Sequence, residues 1–306
     1  MEGGAARTRA LVRRESPRQR SPEGLVRLLP GPLRKLQAEL DARLARIPTR
    51  LNEYGYDDFG MCPETARNLL LPAALVYRYW LRVEAHGIHR VPPDRVLLVA
   101  NHAGNTFAYD GAMLAMAMLL EAEPPRIVRG MAEYYLPTIP FFNVLMHRAG
   151  SVVGTPENCA QLLHREEALM VFPEGARGFV KTFDQRYRLQ RFGLGFMRLA
   201  LETDTPIVPV GIVGNEEQSP GLFNLRPLGR LIGAPAFPIT LTFPLLGPAG
   251  FLPLPVKFRL HFGEPMRFEG DPSDEDEVVE ARVEEVRSAI RELIEHGLRE
   301  RCTWFT

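Results

Sequence analysis

Cysteine is scarce: only Cys62, Cys159 and Cys302 occur in 306 residues, far apart in the chain. That spacing supplies neither a disulfide framework nor a close-spaced metal pair, and it fits a reducing compartment. Surplus charge is missing too, since Lys plus Arg and Asp plus Glu both number 37. A basic field of the kind that marks a nucleic-acid binder is therefore absent, and no nucleic-acid partner is expected. No G-x-S-x-G elbow is present, which removes the commonest sequence support for a serine nucleophile. The longest uncharged stretch, 231–256, is interrupted by repeated proline and glycine that would break a lipid-exposed helix, so it reads as surface loop. The basic N-terminus leads into no apolar core and cleavage site, as a signal peptide would. The expectation is a cytoplasmic chain, soluble or peripheral to one face of a membrane.

What is present is a repeated delivery of polar residues to the ends of apolar strands. Residues 96–100 form a short, β-branched apolar run, and 111–120 have the composition of a buried helix. Between them lies Asn101-His102-Ala103-Gly104-Asn105-Thr106-Phe107-Ala108-Tyr109-Asp110. A strand-to-helix turn is where an α/β sheet presents its reactive groups. There, His102 is available to take a proton from a hydroxyl, and Asp110, near a helix start, is placed to orient the imidazole. A second apolar run, 168–172, feeds Pro173-Glu174-Gly175-Ala176-Arg177-Gly178. Gly175 and Gly178 permit close backbone approach to a ligand, and Arg177 carries a fork of donors suited to phosphate or carboxylate.

Asn-His with a downstream Asp, followed by Phe-Pro-Glu-Gly-x-Arg, resembles the signature of the glycerolipid acyltransferase superfamily, which includes the lysophosphatidate acyltransferases. The resemblance extends over about 81–267: Gly150-Ser151-Val152-Val153 is similar to the family's second block and Ile207-Val208-Pro209-Val210 to its fourth. The continuations Gly154-Thr155-Pro156-Glu157-Asn158 and Gly211-Ile212-Val213-Gly214-Asn215-Glu216-Glu217 are closer to the branch with mono- and diacylglycerol acyltransferase-like members, which includes plant phytyl ester synthases. Two departures stand out. Seven residues separate His102 from Asp110, more than the family's usual spacing, so the turn must be longer if the two still meet. The second block ends in Pro156, where phosphate-acceptor members usually carry arginine, which favours a less charged acceptor.

The resemblance implies an α/β fold, a mixed sheet flanked by helices with helical additions at both ends. It implies transfer of a fatty acyl group from acyl-CoA or acyl carrier protein, as co-substrate and with no cofactor or metal, to a hydroxyl of a mono- or diacylglycerol or lysophospholipid. His102 and Asp110 would be catalytic, with no acyl-enzyme, and Glu174, Gly175 and Arg177 would bind the acceptor. The alternative is a non-catalytic lipid-binding or membrane-surface protein of the same fold, and it turns on whether Asp110 reaches His102.

Around this centre the chain divides into a disordered basic tail (1–21), an N-terminal helical segment (22–90), the catalytic domain (91–270) and a C-terminal helix (271–306). The arginine-rich tail is a solvated terminus or is drawn to anionic lipid. Leu25, Leu28, Leu29, Leu33, Leu36, Leu40 and Leu44 recur at helical spacing, with Pro30 and Pro32 expected to end or kink the first turns. That helix either packs on the domain or lies in a membrane interface. Pro72 is expected to kink the next helix. His86 and His89 have no third ligand nearby, so no metal is expected there. Lys181, Arg186, Arg188 and Arg191 form either a solvated loop or a rim attracting phosphates, and Asn215, Glu216 and Glu217 either contact the acceptor or form a polar loop. Phe141, Phe142, Val144, Leu145 and Met146 serve as core or as the wall of an acyl groove. The apolar side chains of 231–256 either cover an acyl groove internally or face membrane or substrate.

Overall fold

The computed structural model describes residues 30–132, 142–231 and 236–306. The basic tail, Leu25, Leu28, Leu29 and Phe141 lie outside the described residues.

Among the described residues two helices come first, α1 (Gly31–Leu44) and α2 (Pro63–Leu75), the second running on into a π turn over Val76–Trp80. Strands and helices then alternate: β1 (Glu84–His86), β2 (Val96–Ala100), α3 (Tyr109–Leu120), β3 (Val128–Ala132), α4 (Phe142–Arg148), β4 (Val152–Val153), α5 (Pro156–His164), β5 (Ala168–Val171), α6 (Ala176–Phe179), α7 (Gly195–Thr203) and β6 (Ile207–Val213). A ribbon of β7 (Gly221–Asn224) and β8 (Pro238–Thr240), with α8 (Arg226–Leu231) in its connection, precedes β9 (Arg259–Phe262) and the long helix α9 (Asp276–Glu300).

The main sheet has seven strands in the order β1-β9-β6-β2-β5-β3-β4. From β6 to β4 the strands are parallel; β9 runs antiparallel to β6 and carries β1 parallel to itself, so the sheet is mixed and flanked by helices as predicted. Both faces of β2 and β6 are covered, which is why these strands read as continuous apolar runs. The strand period of two nevertheless divides the core. Val96, Leu98 and Ala100 face a cluster with α3, α1 and α2, while Leu97 and Val99 face one with α5, α7 and α9. Helix α3 lies between sheet and N-terminal helices, so nearly all of it is buried and its sequence shows little polar face. Helix α9 is amphipathic instead, burying Val279, Val283, Val286, Ile290 and Ile294 at helical spacing against the sheet. Ile290 is fully buried, so Ile290→Ala is expected to cost about 2–5 kcal/mol, read as a lowered urea midpoint at unchanged m.

Pro30 and Pro32 do not break α1 but start it. Pro30 is the N-cap and Pro32 falls in the first turn, where a missing N–H costs nothing. Residues 84–86, assigned to the helical segment from sequence, form edge strand β1, since three residues are too few to show alternation. The stretch 231–256 contains strand β8 as well as loop. Pro156 sits in the first turn of α5 behind the N-cap Thr155, whose hydroxyl accepts from Asn158 N at 3.2 Å.

Candidate active site

Parallel strands β2, β5 and β6 end side by side, and their carboxyl ends open into the turns carrying His102, Glu174 and Asn215. Asn101 fixes the first turn to the third: its Oδ1 accepts from Ile212 N at 2.7 Å and its Nδ2 donates to Ile212 O at 3.1 Å. The amide thus satisfies both backbone groups of a β6 residue beyond the regular pairing, which explains an asparagine beside the histidine.

The long turn does bring the expected pair together. His102 Nδ1 lies 2.8 Å from Asp110 Oδ2, and the same oxygen accepts Ala103 N at 2.8 Å. Asp110 Oδ1 accepts Gly111 N at 2.8 Å at the start of α3. A carboxylate that accepts backbone N–H groups also accepts from Nδ1, which leaves the lone pair on Nε2. The extra residues are absorbed by a tight loop in which Asn105 takes a left-handed φ of 55° and its N donates to Phe179 O at 3.0 Å. The imidazole stacks on Phe172, with ring centroids 4.3 Å apart, and lies 5.1 Å from Phe179 at a tilt. Two aromatic rings thereby restrict its orientation and its access to water.

Glu174 has a different place from the one its motif suggested. It is buried; Oε1 accepts the backbone N of His102 at 2.9 Å and Oε2 accepts Gln190 N at 2.7 Å. Both oxygens serve the chain itself, so the carboxylate supports the histidine turn from beneath. Gly175 has φ 56° and ψ −147°, a conformation open essentially to glycine alone, and it turns the chain into α6. At Gly178 a Cβ would lie 2.6 Å from Glu174 Cβ and 3.1 Å from His102 Cβ, so a side chain would push the two motifs apart. Arg177 is exposed; its Nη2 donates to Arg191 O at 3.1 Å, and among the described residues it pairs with no carboxylate.

Sequence reasoning missed the frame behind these motifs. Asn215, Glu216 and Glu217, read as acceptor contacts or a polar loop, are buried, and so are Gln218 and Ser219. Gln218 Nε2 donates to Gly104 O at 3.3 Å and Asn105 Nδ2 to Ser219 O at 2.9 Å, tying this loop to the histidine turn. Lys181, read from sequence as part of a solvated loop or of a phosphate-attracting rim, is buried instead, its Nζ 2.6 Å from Glu216 and 3.5 Å from Glu174. Burial pushes the Glu216 carboxyl up to about 7, against the pull of Lys181. Burial also opposes the Lys181 charge, but the two carboxylates outweigh it and hold the ammonium above its ordinary pKa. The only sequence signal for this cluster was the run of polar residues directly after a fully apolar strand.

His261, His296 and Glu300 place possible ligand atoms within 4.8 Å of one another. They belong to β9 and α9, away from the turns above. His296 and Glu300 form an exposed i,i+4 ion pair, and His261 stacks on His86 with burial lowering its pKa to about 4.

The family model described as Acyltransferase matches residues 82–213, which include both motifs. An uncharacterized protein of Mycobacterium tuberculosis is 38% identical over 248 residues, 79% of this chain and 69% of that protein. The mouse protein described as a DGAT1/2-independent enzyme synthesizing storage lipids is 24% identical over 216 residues, 71% of this chain and 60% of that protein. Among solved structures, the 1-acyl-sn-glycerophosphate (LPA) acyltransferase PlsC from Thermotoga maritima aligns over 88% of this chain and 97% of its own at 18% identity, with a TM-score of 0.49. The chain belongs to the acyltransferase family, whose model spans both motifs.

Proposed function

We propose that this enzyme moves a fatty acyl group from a thioester, acyl-CoA or acyl carrier protein, to the free hydroxyl of a mono- or diacylglycerol. The observation that carries the mechanism is the His102 Nδ1 to Asp110 contact of 2.8 Å. With Nε2 as the free base, His102 takes the acceptor's hydroxyl proton as the oxygen attacks the thioester carbonyl. The tetrahedral intermediate collapses with cleavage of the C–S bond, and the proton passes from His102 to the leaving thiolate. Asp110 stabilises the imidazolium between these steps, and Glu174, Gly175 and Gly178 hold the turn that presents the ring. Phe172 and Phe179 shield the base from water, which would otherwise act as acceptor.

A neutral acceptor is supported by Pro156, which stands where phosphate-acceptor members carry arginine and serves here to start α5. The mouse relative, described as making storage lipids, points the same way. A lysophospholipid is the second reading, favoured by the exposed Arg177. Thiol release from acyl-CoA by purified enzyme, with diacylglycerol, monoacylglycerol or lysophosphatidate supplied, separates them. Turnover with lysophosphatidate alone would overturn the neutral acceptor.

The acceptor's insolubility requires a membrane face, and the β7–β8 ribbon with the following loop is suited to it. No acidic residue occurs between Glu217 and Glu264, while Arg226 and Arg230 are present. Leu231 and Leu245 are 82% and 84% exposed, and Leu222, Phe223, Leu246 and Leu252 are exposed with them. Exposed apolar side chains with cations and no acids match an anionic leaflet. Tyr109 beside the site donates from its hydroxyl to Phe251 O at 3.2 Å, connecting this face with the histidine turn. No helix of the described residues is long and apolar enough to cross a membrane. Leu245→Glu with Leu246→Glu should weaken co-sedimentation with phosphatidylglycerol-containing vesicles about tenfold or more, since each leucine contributes about 1.5–3 kcal/mol when buried. Unchanged vesicle binding would remove this face from the reading.

A further inference from the structure

Beneath the histidine turn lies a chain of buried charges that the proposed mechanism does not use. It begins at Arg301, just past the end of α9, whose Nη1 donates to Glu217 Oε1 at 2.7 Å. The Tyr187 hydroxyl donates to Glu217 Oε2 and accepts Gly214 N at 2.8 Å. Tyr187 N donates to Glu216 Oε1 at 3.2 Å, and Lys181 Nζ lies 2.6 Å from that oxygen. Lys181 then faces Glu174 Oε2 at 3.5 Å, and Glu174 holds the backbone N–H of His102.

The charge balance of this cluster rests on Lys181. Two carboxylates and one ammonium, all nearly out of contact with water, form the innermost group. Without the ammonium, two buried carboxyl groups would share a proton, as like charges in one site must. The shared proton would draw Glu174 Oε2 toward Glu216 and away from Gln190 N, which loosens the hold of Glu174 on the His102 turn. Lys181 touches neither ring nitrogen of His102 and contacts no part of the acidic partner Asp110.

We propose that Lys181 is a positioning residue for acyl transfer: by bridging Glu174 and Glu216, it keeps the Glu174 carboxylate locked on the His102 turn. This rests on the reading of His102 as the base. The groups facing the cluster are Lys181, Glu174, Glu216 and Tyr187, with Glu217 and Arg301 behind Tyr187.

The test is steady-state acyl transfer by Lys181→Met, Glu174→Gln and the double variant, measured from pH 5.5 to 9.5 and normalised to folded protein by near-UV circular dichroism. Lys181→Met should lower kcat at neutral pH about a hundredfold, the cost of a misplaced catalytic group, while KM for acyl-CoA changes little. Its kcat should recover as pH rises and the shared proton is lost, moving the acid limb up by about 1–3 units. In the Glu174→Gln background Lys181→Met should have almost no further effect on kcat, because the lysine acts through that carboxylate. If Lys181→Met does not accumulate as folded protein, Lys181→Met with Glu216→Gln removes the ammonium together with the competing carboxyl, so Glu174 keeps its charge and kcat should stay close to wild type; a loss as large as that expected for Lys181→Met alone would overturn the proposal. For Lys181→Met by itself, wild-type kcat with an unshifted acid limb, or losses that multiply with those of Glu174→Gln, overturns the proposal. An active His102→Ala enzyme would instead indicate failure of the underlying mechanism.

Discussion

His102→Ala is expected to lower kcat for acyl transfer by about a hundred- to ten-thousandfold, the range for loss of a positioned general base. Substrate binding should survive, because the imidazole supplies proton transfer rather than the principal binding surface. KM for acyl-CoA should stay within about threefold of wild type, the pattern of an interaction made only in the transition state. The fold should survive too, since the ring lies at the edge of the core, stacked on Phe172 and Phe179 with 14% of its side chain exposed. Thiol release from acyl-CoA in the presence of acceptor is the measurement, with circular dichroism to verify folding. Wild-type turnover by this variant would place the base elsewhere and reduce the His102 turn to structure.

Asp110→Asn is expected to cost about a hundredfold or more in kcat with little change in size of the side chain. Oδ2 accepts from both His102 Nδ1 and Ala103 N, while Oδ1 accepts Gly111 N. An amide offers one oxygen and one NH₂, so one of these positions comes to oppose donor to donor. Either the Nδ1 proton is no longer required, which frees the ring to put its lone pair on the wrong nitrogen, or the turn itself shifts. The imidazolium formed during transfer also loses its counter-charge. The loss should fall on kcat rather than KM. Leaving a buried donor unpaired should also lower stability by about 1–3 kcal/mol, seen as a reduced urea midpoint. An Asp110→Asn enzyme with kcat within about twofold of wild type would sink the orienting role, whatever its stability.

The sequence was most legible where burial is complete. Residues 207–213 read directly as a strand, and 111–120 as a helix, because both lie wholly inside the core. The α9 stripe was legible for the opposite reason: one face is buried and one solvated, so periodicity marks the contact. Short edge strand β1 and ribbon strand β8 were not legible, since three residues carry no period, and the partner of β1 is distant in the chain.

The sequence by itself determined the chemistry on offer: a histidine after one apolar strand, a Glu-Gly-x-Arg run after another, and few alternatives for a nucleophile. It left undecided whether Asp110 reaches His102 across seven intervening residues, and the folded turn decided that at 2.8 Å. Tertiary structure alone separated residues of like sequence appearance. Arg177 ends the second motif and Lys181 comes soon after it, yet Lys181 is enclosed between Glu174 and Glu216 while Arg177 remains exposed. Glu174 likewise has the look of a ligand-binding carboxylate in one dimension and is a support for the turn in three. The physical reason is common to these cases. A charged side chain has no periodicity to betray its environment, and whether it meets water, substrate or an opposite charge depends on which strand ends the sheet brings side by side.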